Sequence, residues 1–269
     1  MFTLILESKQ RIFAMVLRYF YLIRTSWLRI IEIAYFPVLQ VLLWGFISTY
    51  LRDQTNLHFS IMGALISAVL LFEILVRGQV GLSLSFLEEI WSRNIGNLLI
   101  TPLKNWEWVS SLILISLMRT FIAFTPAALL AALFYHFNIF TLGLPLMTFF
   151  LNMFILGWTI GFLVNTLILR FGQGVQSLAW TLVFFIAPLS AVYYPVSVLP
   201  ESLQTVSYLL PTTYVFEGMR QVITDGTFNT DYFIKAILLN LIYFGLSIIL
   251  FFRVIKQAKE RGMLLQMGE

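Results

Sequence analysis

The 269-residue chain contains no cysteine, which excludes a disulfide framework and any thiolate metal or redox centre. Its two histidines, His58 and His136, stand far apart, and no histidine-based metal centre is expected. Charge is scarce too: Asp, Glu, Lys and Arg make up 11% of the positions, against about 25% in an ordinary soluble domain. No Gly-x-x-x-x-Gly-Lys-Ser/Thr phosphate-binding loop occurs, and the lysines are too few and wrongly placed to supply one. The chain is therefore not expected to be an enzyme that hydrolyses a nucleotide. The first apolar stretch, from Leu4, is broken by Glu7, Lys9, Arg11 and Arg18, so no removable signal peptide is expected.

What is abundant is apolar. Hydrophobic residues reach 59% and the mean hydropathy is +0.88, more than one water-soluble core can hide, so lipid must solvate much of the surface. A spanning helix needs about 20 mainly apolar residues. Spans are expected over 33–51, between Glu32 and Arg52, and over 61–83, interrupted by Glu73 and Arg77. No charge occurs between Thr120 and Arg170; the polar dip at His136–Asn138, with Gly143 and Pro145, divides that stretch into spans over 108–134 and 140–169. A turn over Arg170–Gly174 leads to a fifth span over 175–194, and a sixth covers 233–252.

With both termini cytoplasmic, the inner segments hold Lys9, Arg11, Arg18, Arg24, Arg29, Arg93, Lys104, Arg170, Arg253, Lys256, Lys259 and Arg261; the outer ones hold only Arg52, Arg220 and Lys235. Twelve basic residues against three follow the positive-inside rule. The net charge of +4 thus reads as cytoplasmic-side lysine and arginine, with no nucleic acid as partner.

Three segments depart from spans joined by short loops. Residues 1–30 read as an interfacial amphipathic helix on which Arg11, Arg18 and Arg29 project within about 20° of one another at 100° per residue, toward lipid phosphates. It serves either as a topogenic anchor or as a gating or partner contact. The loop over 84–107 carries Glu88, Glu89, Arg93, Lys104 and Glu107 around the apolar run Leu98-Leu99-Ile100, which Thr101-Pro102 stops. It is either a helix that docks on another protein or a plain connection. In 195–220, Pro195, Pro200 and Pro211 cut an apolar stretch into pieces too short to span, which predicts a re-entrant element serving as a gate or a plug.

These loops resemble the type 2 permease family of ABC transporters, exporters of polysaccharides, teichoic acids, lipid-linked carriers and hydrophobic drugs. The inner loop is similar through Arg93, Gly96, Leu98, Leu99, Thr101, Pro102 and Leu103. The outer segment is similar through Pro195, Leu199, Pro200, Leu203, Tyr208, Leu209, Pro211, Glu217, Gly218 and Arg220. Asn97 stands where the family often has an acidic residue. The resemblance implies a half-transporter: two copies form the membrane pathway, and each binds a separate ATPase subunit, which supplies ATP and magnesium. The coupling helix over 89–102 makes that contact, with Glu89 among its residues. The outer gate is then Pro195, Leu199, Pro200, Leu203, Tyr208, Pro211, Glu217 and Arg220.

Inside the membrane, Glu73 and Arg77 have the spacing of a same-face ion pair, with Arg77 either functional or snorkelling to the inner surface. Arg119 should face a polar pathway or pair with Glu73; with Glu73, Tyr193 and Tyr194 it makes a candidate substrate pathway. The expectation is an all-α membrane protein, a single transmembrane domain over 1–269 with six transmembrane helices. Besides these it has the interfacial helix, a cytoplasmic coupling helix and a re-entrant outer segment between the fifth and sixth helices. It would sit in a bacterial cytoplasmic (inner) membrane and export an amphiphile such as a lipid-linked saccharide, lipid or drug. The alternatives are a secondary transporter or channel and an assembly subunit.

Overall fold

The computed structural model describes residues 2–55 and 59–261. His58 and the side chains of Arg52 and Leu99 lie outside the described residues. Those described form helices, turns and loops, with no strand among them: α1 (Phe2–Arg24), α2 (Trp27–Thr55), α3 (Phe59–Trp91), α4 (Ile95–Ile100), α5 (Asn105–Tyr135), α6 (Leu144–Phe171), α7 (Leu178–Ile186), α8 (Glu201–Ser207), α9 (Pro211–Asp225) and α10 (Thr230–Glu260). Five of them, α2, α3, α5, α6 and α10, are long and apolar enough to cross a membrane.

Helix α3 is the spine. Its most apolar window is 83% buried, against 17% for α2 and 22% for α10, whose outward faces are left to lipid. Lipid offers no hydrophobic drive for helices to associate, so close packing of small residues and interhelical hydrogen bonds hold such a bundle. Gly157 of α6 lies so near α3 that a Cβ there would stand 2.7 Å from the Leu75 carbonyl oxygen; one turn on, Gly161 abuts Gln79 and Leu82. On the α5 side, Ser116 Oγ donates to the Gly78 carbonyl at 2.7 Å. Between α6 and α10, buried Asn240 donates to Asn152 Oδ1 at 2.8 Å.

Three boundaries differ from the sequence expectation. The amino-terminal helix does not run on to residue 30. Thr25 Oγ1 folds back onto the Tyr21 carbonyl, and the Ser26 carbonyl accepts the Arg29 N–H, which starts α2 at Trp27. Helix α3 does not stop near residue 83 but continues to Trp91, where Arg93 takes the left-handed conformation (φ 52°) and Asn94 N–H closes on the Glu89 carbonyl. That is a left-handed C-terminal cap built on arginine in place of the usual glycine.

The fifth expected span is shorter than 175–194. Helix α7 is nine residues long and passes at Pro188 into a 3-10 turn over Ala187–Ser190. Proline removes a donor and crowds the preceding turn, and Ala191 then turns left-handed (φ 52°). The piece from 178 to 190 is about 20 Å long by helical rise, short of the roughly 30 Å hydrocarbon core.

Gly157→Ala should force α3 and α6 apart and cost about 1–3 kcal/mol, the usual penalty of overpacking. Gly245→Ala, whose added methyl meets nothing within 4 Å, should not. Thermal unfolding of the two detergent-solubilised variants separates them; equal melting temperatures would refute the close-packed spine.

Candidate functional site

Three carboxylates are withdrawn from solvent at the α4 end of the bundle. Glu88 and Glu89 occupy the last turns of α3, where the helix dipole disfavours negative charge. Glu107 occupies the first turn of α5, where the dipole favours it, and its Oε2 accepts the Lys104 N–H at 2.9 Å. Glu89 and Glu107 are fully buried, and buried carboxylates persist only with charged or hydrogen-bonding partners.

Arginines from elsewhere in the chain supply those partners. Arg11 of α1 grips Glu107 through Nε and Nη2 at 2.9 and 2.8 Å. About two turns on, Arg18 grips Glu89 through both terminal nitrogens at 2.6 and 3.1 Å. Arg29 of α2 approaches Glu88 at 3.5 Å, and buried Arg119 of α5 donates to the same carboxylate at 2.9 Å. Asn94 adds a bond to Glu89 Oε2 at 2.7 Å. The hydrogen bond to Glu107 raises the Arg11 guanidinium further above its ordinary range. Helix α1 meets the bundle along Ser8, Met15, Tyr19 and Ile23, and Tyr19 accepts a 3.4 Å bond from Trp108 Nε1.

This arrangement corrects several expectations. Arg11 and Arg18 share a face of α1 while Arg29 belongs to α2, and all three meet protein carboxylates in place of lipid phosphates. Glu89 is not on an exposed coupling helix; it is a buried residue of α3 that anchors Arg18. Arg119 pairs with Glu88 and not with Glu73. Of the coupling loop, residues 84–91 continue α3, Ile95–Ile100 form α4 and 105–107 open α5; Leu98 faces inward, 8% exposed, while Ile100 stands 83% exposed. Arg93, Thr101 and Pro102 are exposed and Gly96 is half-buried. Thr101 Oγ1 donates to the Leu98 carbonyl at 2.6 Å, closing the short helix.

Glu73 and Arg77 form the anticipated pair at 3.2 Å. The Arg77 guanidinium lies over the Phe36 ring at 5.7 Å. Tyr193 stacks on Trp44 with centroids 4.2 Å apart, and Tyr194 donates its hydroxyl to the Pro188 carbonyl. The hollow between Pro37, Glu73, Arg77 and Phe124 leaves essentially no free volume. Glu73, Tyr193, Tyr194 and Arg119 therefore do not line one open passage.

The residues from Pro195 to Arg220 come together more closely. Glu217 accepts the Val196 N–H at 2.7 Å and pairs with Arg220 at 3.0 Å. Arg220 also donates to the Ala191 and Val192 carbonyls at 2.9 and 3.3 Å. Three backbone groups of the stretch that follows α7, the Ala191 and Val192 carbonyls and the Val196 N–H, are thus tied to α9. Pro200 precedes α8, and Pro211 begins α9, where a missing N–H costs nothing. Leu199 offers its carbonyl to Gln204 at 2.8 Å, whereas Leu203 and Tyr208 are exposed. The junction of α8 and α9 lies beside the middle of α10: Tyr243, thirteen residues or about 20 Å from the helix start, donates to the Leu209 carbonyl at 2.9 Å. A cavity of about 320 Å³ opens there, lined by Leu156, Ile160, Leu210, Pro211, Tyr243 and Leu246 among others.

Compared with protein-family models and with curated protein sequences, the chain matches none.

Two changes test this collar, the ring of Glu88, Glu89 and Glu107 with Arg11, Arg18, Arg29 and Arg119. Arg18→Met leaves Glu89 buried without its partner and should cost about 2–3 kcal/mol. Adding Glu89→Leu removes the stranded charge and should restore part of the loss. A double variant no more stable than the single one in thermal unfolding would show that the pair is not energetically coupled. In the α7–α9 segment, Arg220→Met should free the Ala191 and Val192 carbonyls and speed proteolysis between residues 190 and 200; an unchanged cleavage pattern would count against the tie.

Proposed function

We propose that this chain is the membrane subunit of an ATP-driven exporter of the ABC type 2 permease kind, working as a dimer with two separate ATPase subunits. In this reading both termini are cytoplasmic, in the inner membrane of a bacterium. Six crossings are completed by the piece over 178–190 with the loop that follows it. The segment from Pro195 to Arg220 re-enters from the outer side and forms or flanks the outer gate. Its depth beside Tyr243 of α10 supports that assignment.

One observation carries the proposal: the short α4, with exposed Ile100 at its tip, is mounted on the buried spine of the bundle. Asn94, just before α4, is bonded to Glu89 at the end of α3, and Ile95 and Leu98 are buried against the bundle. A displacement of α4 by a closing nucleotide-binding dimer would therefore pass into α3. From α3 it reaches α5 and α6 through the contacts at Gly78 and Gly157. Packed helices of this kind respond to such a bias by switching between discrete arrangements. In this scheme Glu73, Arg119, Tyr193 and Tyr194 belong to a substrate pathway that is packed shut in the present arrangement, and the cargo is an amphiphile.

The absence of cysteine makes the topology directly testable. Ile100→Cys and Val198→Cys, both at well exposed positions, should react with impermeant maleimide from opposite sides of the membrane. With an ATPase partner co-purified and reconstituted, Ile100→Asp should weaken association by about 2 kcal/mol, as a central apolar contact does. Labelling of both positions from one side, or transport by this chain with no ATPase present, would reject the proposal.

A further inference from the structure

At the α4 end, next to Glu107 of the collar, a shallow open groove of about 500 Å³ is lined by Leu103, Lys104, Asn105, Trp106 and Phe252. Its floor is apolar and aromatic, and its rim is cationic. Lys259 reaches over from α10 and donates to Asn105 Oδ1, a neutral partner, at 3.2 Å. On α10, Phe252, Lys256 and Lys259 share one stripe, within about 60° at 100° per residue.

The nearby carboxylates do not cancel this charge. Glu107 is turned inward and held by Arg11. Glu260 pairs at 3.9 Å with Lys256, which leaves Lys104 and Lys259 on the rim. The floor is continuous with surface already left to lipid: Leu241 and Ile249 of α10, within about 60° of Phe252 at 100° per residue, are exposed.

We infer that this groove is a binding site for an anionic phospholipid, its phosphate held between Lys104 and Lys259 and its glycerol and upper acyl carbons lying on Trp106, Leu103 and Phe252. Two features select such a lipid over a soluble polyanion or an acidic protein segment. The apolar floor runs into the lipid-facing belt, and a tryptophan lies at the edge of that belt, where indole rings sit at the headgroup level. Basic pockets between helix ends retain anionic headgroups, at about fivefold in affinity per lysine near the surface. The site is separate from the segment over 195–220, and it does not depend on the transport proposal.

The full chain, purified in detergent, is titrated with phosphatidylglycerol or phosphatidylcholine of identical acyl chains, brominated to quench tryptophan fluorescence. Phosphatidylglycerol should quench at lower concentration, and that part of the quenching should vanish in Trp106→Phe. Lys104→Gln with Lys259→Gln should cut the preference for phosphatidylglycerol about thirtyfold, and Lys235→Gln, at the opposite end of α10, should leave it intact. Should the double variant fail to fold, acetylation footprinting of the unaltered chain decides: Lys104 and Lys259 should be protected by phosphatidylglycerol and not by phosphatidylcholine. Equal quenching by the two lipids, preference unchanged in the folded double variant, or protection of Lys104 only on adding a soluble protein would each overturn the inference.

Discussion

Placing two carboxylates at the carboxyl-terminal end of a buried helix is unfavourable twice over, since burial and the helix dipole both oppose the charge. Glu88 and Glu89 are held there because Arg18, Arg29 and Arg119 arrive from three other helices. The rest of this end follows from that requirement. Helix α1 docks across α3 and α5 because its arginines are needed at Glu89 and Glu107. Asn94 is oriented by the same carboxylate that Arg18 holds, so the collar sets the start of α4, and buried Ile95 and Leu98 seat the rest.

A collar of this kind adds little net stability over an apolar contact of equal shape, because desolvating the ions offsets most of their attraction. It contributes geometry. Each guanidinium presents a planar fork that admits few orientations of a carboxylate, and α1 is fixed at two such points about two turns apart. Between the collar and the middle of the membrane, α3 is gripped by backbone-level contacts: Gly157 on one side and Ser116 on the other. Contacts that close leave no slack for α3 to move without its neighbours. Rigid coupling along the spine is therefore a property of the packing, whatever force is applied at α4.

Composition and hydropathy carried much of the architecture, because runs such as 120–169 have no charge to hide and no partner to find. The residues at span ends were harder to place. Hydropathy treats Glu88 and Glu89 as a boundary, yet α3 passes through them, since their charge is matched by arginines up to seventy-one positions away. Local spacing found the Glu73–Arg77 pair, which needs only one helical turn, and missed Arg119–Glu88, which needs two helices in register. The alignment of Arg11 and Arg18 on one face was legible; what they face was not, because lipid phosphate and protein carboxylate satisfy a guanidinium alike. Pro188 was a visible signal for shortening the fifth span. The left-handed caps at Arg93 and Ala191 had no such signal, since neither residue type favours positive φ.

The two ends of the molecule solve opposite problems with the same pair of residue types. At the α4 end, arginine and glutamate join helices that are each complete, and the result is a dense polar joint. Around Pro195–Arg220 they repair a helix that is broken. The kink at Pro188 and the reversal at Ala191 leave carbonyls at 191 and 192 and an N–H at 196 outside any helical ladder, groups that are costly to bury unpaired. Glu217 and Arg220, one turn apart on α9, take up all three. A single helix thus closes the accounts of the segment it follows, while Leu210 and Pro211 at its base face an apolar cavity with room to rearrange. Movement is cheaper where a few replaceable hydrogen bonds border a void than where buried charges border packed glycines. If the bundle has a hinge, these energetics place it at the α7–α9 segment and not at the collar.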